Sequence, residues 1–72
     1  MNQECVQFGK ILKGIRQSLG LKQTDFARLL DMEESMISHY EAGRRQPMYS
    51  TLVKLVRKLG LNPAILFPKD GG

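Results

Sequence analysis

The stretch Gln23–Tyr40, QTDFARLLDMEESMISHY, with the EAGRRQP that follows it, constrains this chain more than any other feature. Phe26, Ala27 and Leu30 fall on one face of a first short helix, and Ile37 and Tyr40 on one face of a second, at the i, i+3 and i+4 spacing that buries a stripe. Asp31 and Met32 leave room only for a tight turn between them, so the two helices pack on each other. Ala27 suits the crossing point, because a small side chain lets backbones approach at the roughly 90–120° angle of such a pair. Ser35, Ser38 and His39 lie off the apolar stripe. They leave a row of short polar side chains facing outwards on a helix of the size that a DNA major groove admits.

Seventy-two residues make one small domain over 1–72, near the size at which folding buries only about 60% of the surface of the unfolded chain. The apolar positions, among them Phe8, Leu12, Ile15, Leu19, Phe26, Leu30, Ile37, Tyr40, Leu55 and Phe67, supply a helical core over about 6–67, with 68–72 as a frayed tail. Eleven Lys and Arg against seven Asp and Glu give a formal net charge of +4, which suits a polyanionic partner. Placement says more than the total. Lys10, Lys13, Arg16, Lys22 and Arg28 precede the outward-facing helix, and Arg44 and Arg45 follow it directly.

Several functions drop out. The single cysteine, Cys5, cannot form an intrachain disulfide, and no His and Cys cluster has metal-ligand spacing. Neither a cofactor nor a small-molecule ligand is indicated. No apolar run approaches the roughly 18 residues of a membrane span, and the N-terminal MNQECVQFGK lacks the apolar stretch of a signal peptide, which makes a cytoplasmic protein the default. His39 beside Ser35 and Ser38 is not a catalytic triad, since no third group orients the imidazole and a helix surface excludes no water. The chain is not expected to be an enzyme.

Along the chain, Phe8, Ile11, Leu12, Ile15 and Leu19 predict a first helix from about Glu4 to Leu19, ended by Gly20. The second runs from about Gln23 to Leu30 and the third from Glu33 or Glu34 to Ala42, stopped by Gly43. Ser50 or Tyr49 precedes a fourth, to about Leu59, whose Leu52, Leu55, Val56 and Leu59 form the buried stripe. A fifth short helix is expected near Pro63 to Leu66, with Asn62 as N-cap and proline at its first position. The fold class is all-α, five helices and no sheet.

On LGLKQTDFARLLDMEESMISHYEAGRRQP and the later LVKLVRKLGL, the chain resembles the phage-repressor (Cro/cI, or XRE-type) family of helix-turn-helix proteins. Gln23, Ala27, Ile37, the Glu41-x-Gly43 pair, Pro47 and Leu52 carry the likeness, which spans about Phe8 to Phe67. It implies a compact lambda-repressor-like domain that binds double-stranded DNA in sequence-specific fashion. Such a domain acts as a transcriptional regulator, in most cases a repressor, and as a homodimer on an approximately palindromic site.

Under that resemblance, Glu34, Ser35, Met36, Ser38 and His39 are candidates for reading bases, Met36 by apolar contact with a thymine methyl. Gln23 and Lys22, at the start of the second helix, are candidates for phosphate contact, as are Arg44 and Arg45 in the loop. Arg16 and Glu41 occupy the positions of a family salt bridge between the first and third helices. Leu61, Pro63, Ile65 and Phe67 are left over by so small a core and are candidates for the dimer surface. Glu33 and Glu34 run against the DNA reading, because phosphates repel carboxylates; capping of the third helix is their simpler role. The alternative is an antitoxin-like or accessory module of the same fold that holds another protein, with these two carboxylates deterring DNA.

Overall fold

The computed structural model describes residues 3–62. Within them stand four helices, α1 (Gln3–Ser18), α2 (Gln23–Leu29), α3 (Glu34–Glu41) and α4 (Tyr49–Leu59), and no strand. The all-helical class holds, but the count is four rather than five. The fifth helix expected near Pro63 to Leu66, and the tail at 68–72, fall outside the described residues.

The helices end by a shared device. After α1 the chain turns left-handed at Gly20, where the Leu21 N–H reaches the Arg16 carbonyl at 3.2 Å and the Gly20 N–H reaches that of Gln17 at 3.0 Å. This satisfies carbonyls that the helix leaves without partners. The same pattern follows α2 with no glycine to serve it. The Met32 N–H reaches the Ala27 carbonyl at 2.8 Å, and Asp31 takes φ 56°. Asp31 thus sets the angle between α2 and α3 at the cost that a Cβ incurs in the left-handed region.

Asp31→Gly should therefore stabilise the domain by about 0.5–1 kcal/mol. The Lys54 Nζ bond to the Asp31 backbone carbonyl, 2.9 Å, does not need the side chain, and the carboxylate, 84% exposed and 4.0 Å from Lys54, adds little. A urea midpoint at or below that of the parent would show that no strain resides there.

Helix starts are less well served. Lys22, Glu33 and Met48 occupy the three N-cap positions, and none makes a side-chain capping bond. Glu33 stands at the cap by backbone conformation only. The fourth helix begins after Met48, one residue earlier than a Tyr49 or Ser50 cap allows.

Phe8 and Leu12 of α1, Phe26, Ala27 and Leu30 of the α2 segment, Ile37 and Tyr40 of α3, and Leu55 of α4 form the buried core. Phe8 meets Tyr40 edge to face, with ring centroids 5.5 Å apart at 88°. Leu19, expected to close the α1 stripe, is 51% exposed, because the chain has already left the helix there. Cys5 is a buried small residue on α1. The closest backbone approach lies at Gly9, where an added Cβ would run into the Tyr40 carbonyl oxygen and stand 3.0 Å from that of Glu41. The end of α3 therefore rests directly on the α1 backbone.

Candidate nucleic-acid interface

With Ile37 and Tyr40 turned into the core, α3 presents Ser35, Ser38 and His39 on its opposite face, all three exposed. Glu34 is exposed at the first turn. Met36 is half-buried and packs against the core, so less of it is available to a base than of its neighbours. Arg44 and Arg45 are exposed immediately after Gly43, and Gly43 itself is held closely, since a Cβ there would stand 3.1 Å from Val6 Cγ2. The loop cations thus leave α3 from a fixed point. Lys22 is exposed at the N-cap of α2, with Gln23 half-buried beside it.

Arg16 and Glu41 form a two-pronged ion pair. Arg16 Nε donates to Glu41 Oε2 at 2.7 Å and its Nη2 to Oε1 at 3.1 Å. The side chains are 14% and 4% exposed. The hydrogen bond to Glu41 raises the Arg16 guanidinium above its ordinary pKa, burial opposes this, and the charge of Glu41 adds to the rise. The cation is thus permanent at any working pH.

Two further bonds extend the pair. Arg16 Nη1 donates to the Leu21 carbonyl at 2.9 Å, and Gln23 Nε2 donates to Glu41 Oε1 at 3.1 Å. One carboxylate therefore gathers α1, the segment between α1 and α2, the first residue of α2 and the last of α3. Gln23, read from the sequence as a phosphate ligand, has one amide hydrogen engaged inside the protein. Spacing along the chain gives no sign of this link, since 18 residues separate Gln23 from Glu41.

Beside the first turn of α3 a cleft of about 480 Å³ is lined by Thr24, Ala27, Arg28, Asp31, Met32, Glu33 and Glu34. Glu33 and Glu34 are exposed and make no ion pair among the described residues. Of the candidate dimer residues, Leu61 is half-buried against the core, while Pro63, Ile65 and Phe67 lie outside the described residues. Among the described residues no group of three His, Cys, Asp or Glu side chains could hold a metal, and no helix is long and apolar enough to cross a membrane.

The helix-turn-helix family profile matches residues 12–66. Endothelial differentiation-related factor 1 of Homo sapiens is 38% identical over 56 residues, 78% of this chain and 38% of that protein. The HTH-type transcriptional regulator PuuR of Escherichia coli K12 is 39% identical over 67 residues, 93% of this chain and 36% of that protein. This chain therefore spans under two-fifths of these curated relatives. Among solved structures, the restriction-modification controller protein C.AhdI from Aeromonas hydrophila superposes with a TM-score of 0.81 at 30% identity, covering 92% of this chain and all of that one.

Proposed function

The chain belongs to the helix-turn-helix family, and on that premise we propose that it is a sequence-specific double-stranded DNA-binding transcriptional regulator, a repressor. It binds as a homodimer on an approximately palindromic site with α3 in the major groove. One observation carries this reading: the outer face of α3, Ser35, Ser38 and His39, is free and polar on a helix pinned from behind by Glu41. A recognition helix needs such rigidity, since base edges discriminate only when donors and acceptors arrive in fixed positions.

Ser35, Ser38, His39 and Glu34 read bases, and Met36 offers its exposed part to a thymine methyl. Lys22, Gln23, Arg44 and Arg45 hold phosphates. Leu61, Pro63, Ile65 and Phe67 supply the dimer contact. The protein is not an enzyme and works in the cytoplasm without a cofactor.

Salt titration on duplex DNA tests the phosphate roles. Each neutralised phosphate contributes about 0.9 to the slope of log affinity against log salt, so replacing Arg44 and Arg45 by alanine should flatten that slope by roughly 1.8 per subunit. Affinity for all sequences should fall together. An unchanged slope would place the loop away from DNA. The unpaired carboxylates of Glu33 and Glu34 favour a second reading, an accessory module that holds a protein. Absence of duplex binding even at low salt would decide for it.

A further inference from the structure

The outer face of α4 carries a second feature that the DNA reading leaves unused. Ser50, Val53, Lys54, Arg57 and Lys58 line a groove of about 350 Å³ on the side of the helix away from the buried stripe of Leu52, Leu55, Val56 and Leu59. Val53 is half-buried as an apolar floor, and Arg57 and Lys58 are exposed. Neither makes an ion pair within the protein among the described residues, and α4 contains no acidic residue.

This cationic groove adjoins the cleft at the start of α3, where Asp31, Glu33 and Glu34 outnumber the single guanidinium of Arg28. The two meet where Lys54 Nζ stands 2.9 Å from the Asp31 carbonyl oxygen and 4.0 Å from its carboxylate. One continuous face thus carries opposite charges on its two halves.

We infer that this face pairs with the same face of a second copy of the chain, the cationic groove of each molecule lying against the acidic cleft of the other. A two-fold rotation about the Lys54–Asp31 junction brings each half onto its opposite, the self-complementarity that an isologous contact requires. A nucleic acid or an acidic peptide matches the face less well. Either would satisfy Arg57 and Lys58 while setting its own negative charge beside Glu33 and Glu34, a like-charge juxtaposition that costs binding. A copy of this chain presents both signs in the matching order. The contact is distinct from the apolar one assigned to Leu61, Pro63, Ile65 and Phe67, and it requires no DNA.

Sedimentation equilibrium of the full chain without DNA tests it. Because the contact is ionic and solvent-edged, its dissociation constant should rise about tenfold or more between about 20 mM and about 0.5 M salt. The double variant R57E/K58E makes the face wholly acidic and E33K/E34K makes it wholly basic. Each alone should lose this association, and an equimolar mixture of the two should regain it as a mixed pair. The neutral variants R57Q/K58Q and E33Q/E34Q, which burden the helix ends less, should weaken it without abolishing it, with folding checked by circular dichroism. Association that ignores salt, persists in either reversed variant, or is absent from the parent at low salt and high concentration would overturn the assignment. A mixture that stays unpaired while both variants are folded would do the same.

Discussion

Gly9→Ala should cost the domain about 3 kcal/mol, the upper range of overpacking. The added methyl has no direction in which to yield. It points at the Tyr40 and Glu41 carbonyl oxygens of α3, which are backbone, and moving them displaces Tyr40, 2% exposed in the core, and Glu41 with its four hydrogen-bonded atoms. At roughly 0.05–0.15 kcal/mol per residue, a chain of this size has about 4–11 kcal/mol in total, so one methyl removes a large share. Gly14 lies on the same helix, exposed, with nothing within 4 Å of an added Cβ. Gly14→Ala should raise stability by up to about 1 kcal/mol through helix propensity alone. Urea unfolding of the two variants separates packing from propensity. If Gly9→Ala lost less than about 1 kcal/mol, α1 and α3 would not be in backbone contact.

How much of this was legible follows from the range of each interaction. The stripes of α1, α2, α3 and α4 repeat at helical spacing, and Gly20, Gly43 and Gly60 mark their ends, so elements set by neighbours three or four residues apart could be read directly. The outward face of Ser35, Ser38 and His39 follows from the same periodicity. Gly9 could not be read as a crossing point, because a glycine within a helix looks like a local weakness until the chain that rests on it is known. The close approach was assigned to Ala27 instead. Gln23 was taken as a free ligand for the same reason: its bond to Glu41 spans two helices. Leu19 fits the α1 period by number, but a helix that ends at Ser18 no longer points the next side chain inward. Whether Glu33 caps α3 depends on one side-chain torsion that no spacing encodes.

Arg16→Met should destabilise the domain by about 3–5 kcal/mol, the cost of leaving a buried charge without its partner. The carboxylate of Glu41, only 4% exposed, would keep the single donor Gln23. Glu41→Leu should cost less, because Arg16 is more exposed, is long enough to swing its guanidinium into water, and retains the Leu21 carbonyl. The double variant, Arg16→Met with Glu41→Leu, should recover most of the loss, since exchanging a whole buried pair for apolar residues is often neutral. A double-mutant cycle on unfolding free energies measures this directly, and additive losses would mean that the pair is not coupled. The double variant also separates stability from function. It restores the fold while removing the link from Glu41 to Gln23, so α3 loses the tether at its last turn. Under the DNA-binding reading, discrimination between duplex sequences should then drop by roughly tenfold, about 1.4 kcal/mol. Binding to random duplex, which rests on Arg44, Arg45 and Lys22, should hardly change. Equal loss on all sequences would assign the network to stability alone.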